Sequence, residues 1–186
     1  GIGYSFLLSF ILVTLLLLLC YRSVAMAALT LVGLIITLTL TSAFAAAFMG
    51  ELNLVSVAFT VLLVGLGLDF AIHLFLHIQE RRAAGQDNSE ALKGALHEVG
   101  PALALAGPTT ALAFLSFVPT KFDGIAQLGV IAAVGVIIAL LVTITFGPAA
   151  LALFKGRPRQ TSDGQVRKLF DSISKVSGPI AIITIL

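Results

Sequence analysis

Long apolar runs separated by short polar interruptions dominate this chain. Residues 2–20 form the first run, which ends at Tyr21-Arg22-Ser23. The second covers 24–49 and ends at Gly50-Glu51-Leu52-Asn53. The third covers 54–78, the fourth 101–118, and the fifth 125–154, after a turn from Pro119 to Gly124. A helix needs about 20 mostly apolar residues to cross a bilayer, so these runs predict five spans. Barrel strands would show alternating polarity over about ten residues, and none of the runs does. Helices are then the form that satisfies backbone groups in lipid. A further apolar run opens at Pro179 and continues to Leu186. The predicted fold class is an all-α membrane protein, a bundle of five transmembrane helices plus the start of a sixth span.

Two segments between the runs have helical periodicity without spanning length. In 87–99, Leu92, Leu96 and Val99 share a face, and Asp87 with Glu90 resembles a capping box. This predicts a short surface helix, broken from the fourth span at Gly100-Pro101. Residues 155–164 are a polar linker. Residues 166–176 place Val166, Leu169, Phe170 and Ile173 on one side, as in an interfacial helix. The predicted organisation is a five-helix bundle over 1–154, a linker with an interfacial helix over 155–178, and the start of the next span over 179–186. The chain begins without Met inside an apolar run, so we expect an internal piece of a larger membrane protein.

Composition supports a lipid solvent. Hydrophobic residues make up 59% and charged residues 11%, against about 25% charged in soluble domains. The mean hydropathy is +1.10. Of the eleven Lys and Arg, only Lys121 lies in an even-numbered connection; the other ten lie in odd-numbered ones. The positive-inside rule makes the odd connections cytoplasmic and starts the chain on the outer side. No basic run is interleaved with aromatics, which argues against nucleic acid as a partner. The single cysteine, Cys20, leaves no internal disulfide and no cysteine-based metal cluster. No Walker A loop and no supported Ser–His–Asp arrangement is present, so the sequence predicts no enzyme. Transport would draw on an ion gradient or on a separate chain.

Asp69 is the one strongly ionisable residue at mid-membrane depth. Acidic groups there usually face a bundle interior or a water path, often as proton relays. Asp69 therefore either exchanges protons or serves as a hydrogen-bonded structural group. His73 and His77 follow at steps of four, and Gly65 precedes by four, so the four share one ridge. His73 either relays protons or simply pairs with Asp69; His77 falls near the headgroup zone. Gly65 and Gly67 allow close helix packing. Thr109, Thr110, Thr143 and Thr145 offer hydroxyls to a relay, or to their own backbone. Gly107-Pro108 and Gly147-Pro148 predict kinks. One carboxylate and two imidazoles on a single helix make a weak metal site, and none is predicted.

The string Gly65-Leu66-Gly67-Leu68-Asp69-Phe70-Ala71-Ile72-His73-Leu74 resembles the fourth-helix motif of the resistance-nodulation-division superfamily, in its lipid-exporting, MMPL-like branch. Glu90-Ala91-Leu92 and Glu98-Val99-Gly100-Pro101-Ala102 resemble that branch's link to its fifth helix. Phe122-Asp123-Gly124-Ile125-Ala126-Gln127-Leu128-Gly129 resembles the start of its sixth. The resemblance covers 1–154 as helices two to six of an N-terminal half, a block also similar to the sterol-sensing domain of Patched-like proteins. The run at Pro179 resembles the start of helix seven.

The resemblance implies a proton-driven exporter of the bacterial inner membrane, moving hopanoid- or sterol-like lipids toward the periplasm or outer membrane. It implies no cofactor beyond the proton gradient, and it makes Asp69 a proton-relay residue. A second relay group would lie in the remaining half of the transporter. Related mycobacterial exporters carry Tyr where this chain has Phe70, which removes a hydroxyl beside the relay. A homo-oligomer stays open. The rival reading is a sterol-sensing-type module that binds lipid without transport turnover.

Overall fold

The computed structural model describes residues 2–21, 23–49 and 54–153. They form five helices: α1 (Ile2–Tyr21), α2 (Val24–Met49), α3 (Leu54–Ala83), α4 (Asn88–Leu115) and α5 (Asp123–Leu153). The 155–178 segment, the run from Pro179 and the 50–53 turn lie outside the described residues. Among the described residues, Val24–Met49, Asn88–Leu115 and Asp123–Ala152 are long and apolar enough to cross a bilayer. The fold is the predicted all-α membrane bundle.

The helix α5 occupies the centre and packs against α2, α3 and α4, while α1 lies at the edge against α2 and α3. The core gathers Leu17, Leu34, Leu68, Leu74, Phe75 and Val136. The outer face of α1 leaves Leu7, Leu8, Ile11, Leu12, Leu15 and Leu19 exposed. A contiguous apolar face of that extent suits hydrocarbon and not water.

The 87–99 segment is not a separate surface helix. It is the first part of α4, which runs unbroken through Pro101 and Pro108. The buried residues explain this. Ala91, Ala95, Val99, Leu103, Gly107 and Ala111 follow one another at steps of four, so a single stripe crosses both prolines. Gly100 has no Cβ to clash with the following proline ring. Leu92 and Leu96 flank the stripe half-buried, and Ala91 and Ala95 form it. Asp87 is the N-cap, as its sequence position suggests, and accepts from Ser89 N at 3.4 Å. The helix ends at Leu115, three residues short of the predicted span, and α5 starts directly at Asp123. Gly147-Pro148 lies inside the continuous α5.

Polar ties lock the basic end of α3, which extends to Ala83 beyond the predicted 78. Gln79 Nε2 donates to Tyr21 O at 3.0 Å and to Met26 Sδ at 2.7 Å, holding the α1–α2 turn. Arg81 Nη2 donates to Glu98 Oε2 at 2.8 Å, and Arg82 donates to Asn88 Oδ1. Asn88 Nδ2 in turn donates to Leu151 O at 3.2 Å. The Arg81 guanidinium lies over Gly94, in the space a Cβ there would fill.

A close backbone approach joins α4 and α5. A Cβ added at Gly129 would lie 2.6 Å from Phe114 O and 3.0 Å from Phe117 Cβ. A Cβ at Gly33 would meet only Val142 and Phe146 side-chain atoms, at 3.6 and 3.8 Å. Gly129→Ala should therefore destabilise the bundle by about 1–3 kcal/mol through overpacking against backbone, and Gly33→Ala should be tolerated. Thermal unfolding of the two variants in lipid nanodiscs checks the contrast.

Candidate functional site on the third helix

The α3 backbone places Asp69 fifteen residues from Leu54 and fourteen from Ala83. At 1.5 Å rise per residue it sits about 22 Å from either end. The helix carries two ridges with a period of four. Gly67, Ala71 and Phe75 form one, and Gly65, Asp69 and His73 form the other, offset by two residues. At 3.6 residues per turn that offset is about 200°, so the ridges lie on opposite sides of the helix.

The first ridge faces the bundle. Ala71 and Phe75 are buried, and a Cβ at Gly67 would lie 3.6 Å from Ala139 Cβ and 3.7 Å from Leu34 Cδ1. The Phe75 ring packs beside Gly147, where a Cβ would come within 3.0 Å of it, and edge-on to Tyr21 with centroids 6.0 Å apart. Both glycines thus bring α5 close to α3.

The second ridge faces out of the bundle. Gly65, Asp69 and His73 are exposed, and nothing lies within 4 Å of a Cβ at Gly65. Of the two settings usual for such an acid, a bundle interior or a water path, the interior of this bundle is not the one Asp69 takes: the inward ridge lies on the other side of α3. The residues on either side of Asp69 are core residues, Leu68 and Phe70, at 4% and 8% exposure. Phe70 is thus turned toward the core. Among the described residues no hydrogen bond or ion pair reaches Asp69 or His73. His77 is half-exposed and its Nδ1 lies 3.1 Å from Glu80 Oε2. The open face therefore presents one carboxyl and one imidazole, one turn apart, in an apolar setting.

The candidate hydroxyls divide differently. Thr109 is exposed and donates to Leu105 O and Ala106 O at 2.9 and 3.0 Å, so its proton is used within its own helix. Thr110 is half-buried. Thr145 is exposed and donates to Leu141 O at 2.6 Å. Thr143 is buried and lines a cleft between α2, α3 and α5, on the Gly67 side of α3. Thr30 and Thr37 of α2 line the same cleft. Sequence reasoning passed over them, although Thr30, Thr37 and Thr41 recur at steps of seven and four, a helical stripe. Gln79, Arg81 and Glu98, which lock the end of α3, also went unremarked as a group. Among the described residues no three His, Cys, Asp or Glu side chains gather as metal ligands.

The model of the MMPL family matches residues 2–179. The hopanoid transporter HpnN of Burkholderia multivorans is 43% identical over 154 residues, covering 83% of this chain and 18% of that protein. HpnN of Rhodopseudomonas palustris is 44% identical over 103 residues, covering 55% of this chain and 12% of that protein. The siderophore exporter MmpL5 of Mycobacterium tuberculosis is 31% identical over 156 residues, covering 78% of this chain and 16% of that protein. The chain thus spans less than a fifth of the length of these relatives. With the family model matched along nearly its whole length, the chain belongs to the MMPL family.

Proposed function

We propose that this chain is the transmembrane part of a resistance-nodulation-division exporter, driven by the proton-motive force, that carries hopanoid-like lipids from a bacterial inner membrane toward the periplasm or outer membrane. The observation that carries this reading is Asp69: a carboxyl at the centre of α3, on an open face, without a hydrogen bond among the described residues. The relatives named as hopanoid transporters support the substrate class. The chain's short share of those relatives leaves room for a second relay group and for the substrate path.

The physical argument is a near-balance of energies. An Asp at mid-helix costs roughly 2.5–3.5 kcal/mol to insert on biological scales. Moving one charge through the potential yields about 2.3 kcal/mol per 100 mV. The two are similar, so a membrane potential is able to bias which form Asp69 takes. Neutral, Asp69 tolerates an apolar neighbour. Charged, it demands a cation or water opposite it. Each protonation change therefore changes which surface α3 prefers to meet, and that preference couples protons to movement. His73, one turn toward the basic end, is placed to pass the proton onward. Thr109, Thr110 and Thr143 have no hydrogen bond to Asp69 among the described residues, and the relay is assigned to Asp69 and His73.

The test uses the full-length parent in proteoliposomes under an imposed pH gradient, following lipid release and internal pH together. Asp69→Asn should insert and fold, yet abolish both signals. His73→Gln should slow both while leaving them coupled. Gradient-driven release that persists in Asp69→Asn at normal protein level would sink the relay role. Lipid binding without gradient dependence in the wild type would favour the sensing-module reading instead.

A further inference from the structure

The cleft between α2, α3 and α5 has room of about 20 Å³ and is lined by Thr30, Gly33, Thr37, Gly67, Thr143 and Gly147, with aliphatic and aromatic neighbours. Its polar groups are incomplete. Thr143 is only 6% exposed as a residue, and its hydroxyl oxygen keeps some accessible surface and makes no hydrogen bond among the described residues. Buried hydroxyls are ordinarily paired with protein or water. Thr30 and Thr37 are each 3% exposed or less and have used their protons, donating to Met26 O at 3.0 Å and Gly33 O at 2.9 Å. Thr37 keeps acceptor capacity on Oγ1, Thr30 keeps part of it beside the Tyr21 hydroxyl at 3.4 Å, and Thr143 offers both donor and acceptor.

These facts define the ligand. It must be neutral, because no charged side chain lines the cleft and an unpaired ion would be strongly disfavoured there. It must donate as well as accept, to serve Thr143 and the acceptors of Thr30 and Thr37. It must be small, because room of about 20 Å³ is close to the roughly 10–15 Å³ that one water needs. We propose that this cleft is a resident-water site, held by the Thr143 hydroxyl against α2. The glycines make the room: larger side chains at Gly33, Gly67 and Gly147 would fill the space or meet Val142, Ala139 and Phe75. The site lies behind α3, on the ridge opposite Asp69, and it stands apart from the relay assignment.

Hydroxyl-radical footprinting of the full-length parent in vesicles, in ¹⁸O-labelled water, tests this directly. Radicals made from bound water oxidise adjacent side chains, and Phe75 and Phe146 line the cleft. Wild type should incorporate the label at both rings although Phe75 is only 2% exposed. Thr143→Val should cut that labelling about fivefold, the equivalent of one hydrogen bond of about 1 kcal/mol. Thr143→Ser should retain it, and labelling at exposed Phe122 should not change. Thr37→Val, on the facing helix, should shift Phe75 and Phe146 in the same direction. Unlabelled rings in the wild type, or equal labelling in Thr143→Val, would overturn the site. Loss of the wild-type label on adding a sterol alcohol to the vesicles would assign the cleft to lipid and overturn it equally.

Discussion

Two ridges of α3 stand about 200° apart, and packing against α2 and α5 takes only one of them. Gly67, Ala71 and Phe75 are small, small and large, and they fit Leu34, Ala139 and Gly147. That fit sets the rotation of the helix, and everything at the site follows from it. Asp69 is directed outward because Gly67 and Ala71 are directed inward. The polar ties at the basic end hold the setting: Gln79 grips the α1–α2 turn, and Arg81, Arg82 and Asn88 bind α3 to α4 and α5. A helix in hydrocarbon has no hydrophobic force to orient it, so close packing and polar end-contacts are what remain to fix its angle.

The same logic explains α4. In water, two prolines in one helix would each forfeit a backbone bond and invite a break. Here the buried stripe from Ala91 to Ala111 is continuous across Pro101 and Pro108, and small residues keep α4 close to its neighbours. Gly107 sits where a Cβ would come 2.6 Å from Leu140 Cδ2, and Gly129 sits against the Phe114 carbonyl. The bundle is thus assembled through backbone-close contacts at glycines and not through a segregated apolar core, since both its interior and its lipid face are apolar.

That composition also decides what was legible in the sequence. Helix number and approximate bounds follow from apolar length, because a bilayer sets the length and leaves few alternatives. Asp69 stood out because it is the lone acid within a span, and the motif around it carried the family resemblance. The facing of α3 was not legible. Residues 62–78 are apolar apart from Asp69, His73 and His77, whose ridge suits a bundle interior or a water path alike, and glycine lies on both ridges, at Gly65 and Gly67, so residue size does not select the inward face. The unbroken α4 was missed because Gly100-Pro101 is a local stop signal, whereas the stripe that overrides it is two-thirds alanine and glycine, a weak pattern. Thr143 was noticed only as a hydroxyl open to a relay or to its own backbone; its place in the cleft depends on Thr30 and Thr37, more than a hundred residues earlier in the chain.

The account turns on the outward facing of Asp69 toward the parts of the protein beyond this block. The most direct measurement is photo-crosslinking in the full-length parent, with a small diazirine side chain placed singly at Gly65, His73 or Ala71 and the products mapped by mass spectrometry. The account predicts that positions 65 and 73 crosslink to residues outside 1–186, and that position 71 crosslinks to α2 or α5. Crosslinks from 65 and 73 to α2 or α5 of the same block, or to lipid alone, would contradict it.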